Sequence, residues 1–211
     1  MRGTNRPVHR PLRCVLFIIL LVLTGCEIAE FPYYVTVDEA QPPGDPPLRD
    51  IDFLVVRYSW SAADGRDLDT RTMVVRPPNN IDVGWNRNES GTPYILWGSD
   101  NVDIGYEAVL IDIRALRGDF PDETEFRLRL RAFWYASRDA GNFTVEFTGY
   151  RGGVMEKGID GFNWVNRDGV EERSITVRRN VATVTPTDVD GEDIGIARYV
   201  VATRVLEIID P

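Results

Sequence analysis

The chain has 211 residues, 43% of them hydrophobic and 27% charged, with a formal net charge of −9. That composition fits a folded protein with a buried core. Its acidic balance excludes a general affinity for DNA, RNA or anionic lipid headgroups, which such a surface repels.

Residues 1–13 are polar and basic, with His9 and the arginines Arg2, Arg6, Arg10 and Arg13. An unbroken apolar run follows over residues 14–23, then Thr24, Gly25 and Cys26. A basic segment, a short apolar core and small residues at a cut site mark a secretory signal. The apolar core is too short for a spanning helix, which needs roughly 20 residues. Leu23-Thr24-Gly25-Cys26 resembles the lipobox of bacterial lipoproteins. The resemblance implies cleavage before Cys26 and a diacylglycerol on its thiol, with further acylation such as palmitate. Glu27 stands where lipoproteins retained at an inner membrane usually carry Asp, so delivery to the outer membrane of a bacterial cell envelope is favoured.

Removal of residues 1–25 takes away the one histidine and Cys14. It also takes four of the 24 basic residues and no acid, leaving 20 against 33, about −13. The mature chain then lacks a histidine base, a histidine- or thiolate-liganded zinc site, a cysteine nucleophile and any disulfide. A carboxylate-pair glycosidase stays open, since that chemistry needs only two acids, but no spacing selects a pair. The expectation is a protein that is not an enzyme.

Residues 26–49 hold five prolines, four of them in Gln41-Pro42-Pro43-Gly44-Asp45-Pro46-Pro47. Such a stretch stays extended and reads as a membrane tether. From residue 50 the hydrophobic period becomes two. Strand candidates are 51–60, 70–75, 94–97, 107–113, 126–133, 142–147, 174–178, 196–202 and 204–209. In 126–133 apolar residues alternate with arginine, so one face is buried and the other wet. Turn pairs such as Asp64-Gly65, Gly141-Asn142 and Gly152-Gly153 separate the candidates. Residues 115–125 are expected to hold a helical turn. The fold class is all-β, an antiparallel β-sandwich of about nine strands over residues 50–211.

Two acidic turns precede strands. One contains Asp67 and Asp69; the other contains Asp100, Asn101, Asp103 and Glu107. Residues two apart on a strand share a face, so Asp67 and Asp69 point to one side. Carboxylates, an amide oxygen and backbone carbonyls are the oxygen set that calcium takes. The same acids also serve as turn formers through side-chain to backbone hydrogen bonds. A third acidic run, residues 188–193, lacks the glutamate that a calcium loop carries at its twelfth position and reads as a solvated turn.

The order Asp67-Leu68-Asp69, Gly98-Ser99-Asp100-Asn101, Gly105, Glu107, then Val109–Ile113, Phe126–Tyr135 and Asn142-Phe143 resembles the tellurium-resistance stress-protein family. That family is a calcium-binding β-sandwich. The resemblance implies calcium held by Asp67, Asp69, Asp100 and Glu107, with Asn101 contributing an oxygen and Asp103 in reserve. It departs from the family at Gly105 and Tyr106, where two further acids are usual, and in being exported. The functional expectation is a non-catalytic, membrane-anchored lipoprotein whose sandwich binds calcium or a partner. The alternatives are a carbohydrate-binding module, for which the five tryptophans could serve, and a carboxylate-dependent glycosidase.

Overall fold

The computed structural model describes residues 47–61, 66–78, 81–101, 105–135, 141–181 and 191–211. The signal sequence, Cys26 and most of the proline-rich stretch lie outside the described residues, as do Asp103 and residues 188–190. Among the described residues no helix is long and apolar enough to cross a membrane.

The chain folds as an all-β, antiparallel sandwich. Its strands are β1 (Leu48–Arg49), β2 (Phe53–Ser59), β3 (Asp67–Arg76), β4 (Asp82–Gly84), β5 (Ile95–Trp97) and β6 (Tyr106–Asp112). After a short helix α1 (Ile113–Asp119) come β7 (Glu125–Tyr135), β8 (Gly141–Arg151), β9 (Val154–Lys157) and β10 (Trp164–Arg167). The chain ends with β11 (Val170–Val181), β12 (Glu192–Val200) and β13 (Val205–Ile209). One sheet has the order β1-β13-β12-β7-β3-β4 and the other β11-β8-β2-β6-β5; β9 and β10 form a separate hairpin.

Each expected strand has a counterpart. The four additional strands, β1, β4, β9 and β10, have only two to four residues each. The sheet begins at Leu48, inside the stretch read as tether, because Leu48 and Arg49 pair with Leu206 and Val205 of β13. The helical segment starts two residues earlier than expected and ends at Asp119. Asp112 terminates β6 and caps the helix, its carboxylate accepting from the Ala115 N–H at 2.7 Å.

Period-two alternation builds the core. On β7, Phe126, Leu128, Leu130, Ala132 and Trp134 are all fully buried. They form one cluster with Leu54, Val56 and Tyr58 of β2 and Phe143, Val145 and Phe147 of β8, which come from the facing sheet. The alternate β7 residues, Arg127, Arg129 and Arg131, face outward and pair with Glu125 and Asp193. A second, smaller cluster forms on the outer face of the five-stranded sheet. There Trp164 of the β9–β10 hairpin covers Phe53, Val55, Ala108 and Leu110.

Leu54→Ala, at a position with no solvent exposure, should lower the unfolding free energy by about 2–5 kcal/mol. Val154→Ala, on the exposed face of the hairpin, should stay within about 0.5 kcal/mol. Urea denaturation of the two variants measures both.

Candidate metal centre

The sequence Asp67-Leu68-Asp69-Thr70 opens β3, and alternation divides its side chains between two faces. Leu68 and Thr70 face the interior, where Leu68 is part of the main core. Asp67 and Asp69 face the other way, opposite Tyr135 and Phe133 of β7. That face is not open to water. The Trp85 ring packs against Phe133 and Tyr135, with centroids 5.6 and 5.4 Å apart. Trp85 reaches this position because Gly84 lies against the β3 backbone. A Cβ on Gly84 would fall 2.0 Å from the Thr70 carbonyl oxygen, and its φ of +146° suits glycine. The Trp85 N–H then donates to that same oxygen at 3.2 Å. Asp69 has no solvent exposure and Asp67 only 8%.

The loop between β5 and β6 brings Asp100 to the same place. It is pinned at its start by a hydrogen bond from the Gly98 N–H to the Ala108 carbonyl and at its end by one from the Trp60 N–H to the Gly105 carbonyl, both 2.8 Å. Ser99, just before Asp100, has a φ of +146°, a strained conformation for a residue with a side chain. Carboxylate oxygens of Asp67, Asp69 and Asp100 all lie within 4.8 Å of one another. Two oxygens on one calcium ion stand at most about 5 Å apart, twice the metal–oxygen distance. The three therefore fit around a single ion. Asn101 is buried beside Asp100.

Glu107 approaches from the interior. It sits on β6 across from Tyr58 and has no solvent exposure. Its Oε2 accepts hydrogen bonds from the Thr70 hydroxyl at 2.6 Å and the Trp97 indole N–H at 3.3 Å. Its Oε1 has no hydrogen-bond partner, and neither do Asp67 Oδ1 or either carboxylate oxygen of Asp69. Glu107 stands outside the converging trio, yet the charges of Asp69 and Asp100 both act on it.

These groups strongly perturb one another. Burial pushes the Asp69 carboxyl up to about 8, with the neighbouring charges of Asp67 and Asp100 adding to the effect and Arg71 opposing it. Burial, then Asp100, raises Asp67 to about 6. Asp100 is raised by partial burial and by Glu89. Glu107 is raised well above the usual carboxylate range, chiefly by burial. Desolvated like charges at close range disfavour ionisation, and a cation among them reverses that preference.

Of the expected ligands, the structure brings Asp67, Asp69 and Asp100 together, with Asn101 and Glu107 beside them. Thr70, Trp97, Trp85 and Glu89 also belong to the site's surroundings. Nothing in the local pattern of the sequence marks those four. From the third acidic run, Glu192 and Asp193 lie within β12, where Asp193 pairs with Arg129 and Arg131. Four of the five tryptophans, Trp60, Trp97, Trp134 and Trp164, are buried, so they fill space and form no exposed row.

A pH dependence follows, with its sign set by the raised values. Asp69 and Asp67 hold protons in the folded state up to about 8 and about 6, against 3.8 for an ordinary aspartate. Between those limits the unfolded chain is the more deprotonated state, so the two groups take stability away as pH rises. In chelator, the stability of the native sequence relative to Asp69→Asn should fall from about pH 4 to about pH 8 and then level off. Urea titrations across that range measure the difference, and a flat difference would contradict the burial of Asp69.

No known family matches the chain, and no curated protein and no solved structure matches it.

Proposed function

We propose that this chain is a bacterial envelope lipoprotein, anchored through a diacylglycerol on Cys26, whose β-sandwich is a non-catalytic calcium-binding module. The observation that carries the calcium reading is the convergence of Asp67, Asp69 and Asp100 within 4.8 Å. A second, independent observation is the set of buried carboxylate oxygens beside them that have no hydrogen-bond partner, including both oxygens of Asp69 and Oε1 of Glu107. Burying ionised carboxylates without partners is costly, and a divalent cation is the partner this chemistry calls for. All the donors are oxygens, with no imidazole or thiolate, which selects a hard cation. Carboxylates from a strand and a separate loop form a flexible, many-oxygen cage that suits calcium better than the strict octahedron of magnesium.

Asp67, Asp69 and Asp100 would hold the ion by side chain, and Asn101 by its amide or backbone carbonyl oxygen. Glu107 would offer its one unpartnered oxygen while Thr70 and Trp97 hold the other. The anchor is supported by Leu23-Thr24-Gly25-Cys26 behind its apolar core and basic leader, and the outer membrane is favoured by Glu27. The proline-rich stretch after Cys26 would set the module off the bilayer.

Two measurements test the proposal. Calcium at about 100 times its Kd should stabilise the protein by about 2.7 kcal/mol, a rise in Tm of roughly 5–11 °C for a domain of this size. Asp69→Asn and Asp100→Asn should each abolish that rise, and magnesium should produce a smaller one. A calcium response that survives in both variants would rule out this site. For the anchor, mass spectrometry of the native product should find Cys26 as a lipid-bearing N-terminus, and Cys26→Ser should release the protein from the membrane fraction.

A further inference from the structure

A cleft of about 490 Å³ opens at one end of the five-stranded sheet, lined by residues of β2, β8 and β11 and by Trp60. Its lining includes none of the carboxylates of the metal centre. Strand register shows how its floor is built. Ser59 of β2 stands opposite Thr144 of β8, and Thr144 stands opposite Arg178 of β11. One step along, Asn142 stands opposite Asn180. By alternation these five side chains share the outer face, because the intervening Tyr58, Phe143 and Val145 belong to the core. Trp60 forms an edge of the cleft, held by its indole N–H, which donates to the Arg66 carbonyl at 3.0 Å.

The floor is a patch of hydroxyls and amides around Arg178, with Arg179 also lining the cleft. Ser, Thr and Asn side chains each both donate and accept hydrogen bonds. Among the described residues no acid lines the cleft. Arg178 is exposed and forms no ion pair with a described carboxylate. Its neighbour Arg179 is fully engaged, bonded to Asp210 and to the Ile194 carbonyl at 3.0 Å. In a chain with so many acids, an exposed arginine that pairs with no described carboxylate, beside a row of neutral hydrogen-bonding groups, is a distinct feature.

We propose that this cleft binds an acidic saccharide. Arg178 takes the sugar carboxylate, and Ser59, Asn142, Thr144 and Asn180 take its hydroxyls. A ligand dense in hydroxyls matches side chains that donate and accept at once. A single carboxylate matches the exposed guanidinium of Arg178, which can take it with two parallel hydrogen bonds. The volume is in the range of small-molecule sites and leaves room for more than one sugar ring.

The test is a glycan array probed with the full chain in detergent and chelator, which makes the result independent of the metal centre. The array carries oligosaccharides ending in galacturonate, glucuronate or sialic acid beside neutral counterparts of the same length. Binding should be confined to acidic glycans. Arg178→Gln should weaken it at least tenfold in a follow-up titration, and Asn142→Ala with Asn180→Ala should do the same. Arg178→Lys should retain part of it. Arg178 is exposed, so its variants should melt with the native protein, and the melting curve checks this. Equal binding of neutral and acidic glycans, no binding to any of them, or unchanged affinity in Arg178→Gln would each overturn the proposal.

Discussion

The pairing of Leu68 with Trp134 across β3 and β7 is the contact on which the acidic cluster rests. Both side chains have no solvent exposure and belong to the main core. Because side chains alternate along a strand, burying Leu68 forces Asp67 and Asp69 onto the opposite face, side by side. A slip of one residue would put both carboxylates into the hydrophobic interior and Leu68 outside it. The packing of the sandwich therefore sets the direction of two of the three converging carboxylates, and the hydrophobic effect stands behind their geometry.

The price of that geometry is local. Desolvated carboxylates within a few ångströms of one another are unfavourable, and the raised proton affinities of Asp67, Asp69 and Glu107 express the conflict. The surroundings relieve only part of it. Thr70 and Trp97 satisfy one oxygen of Glu107, and Arg71 opposes the upward shift of Asp69. Glu125, also buried, is by contrast fully paired. On the outer face of the six-stranded sheet, Glu125 has Arg198 at 2.6 Å and Arg127 at 2.9 Å. Places where a sequence departs from such consistency are commonly functional ones.

The sandwich was legible in the sequence because its longer strands repeat with period two. The alternation of apolar residues with arginine over 126–133 is the plainest case, and β7 forms there. The strands that escaped reading, β1, β4, β9 and β10, are too short to show a period. Strand β1 depends besides on a partner distant in the chain, β13, while β9 and β10 pair only with each other. The helix begins earlier than expected because the Asp112 side chain captures the Ala115 N–H, a choice that hydrophobic pattern does not record. At the site, the spacing of Asp67 and Asp69 revealed their shared face. The approach of Asp100 depends on where its loop is pinned, and those anchors, Trp60 and Ala108, are set by tertiary structure. Glu107 is legible in the sequence as a candidate ligand at the start of a strand, but that it turns inward, opposite Tyr58, is set by strand register.

Strand β1 is two residues long, yet it is where the chain enters the sheet. Leu48 is almost wholly buried, close to where a side chain on Gly149 would reach, and Arg49 completes the short pairing with β13. Tension arriving along the preceding residues would meet this edge first. Two paired residues and one buried leucine make a weak seam, while β13 is joined to β12 over five residue pairs. Under load the entry strand should peel away before the sandwich opens, freeing a few residues while the acidic cluster and the cleft stay intact.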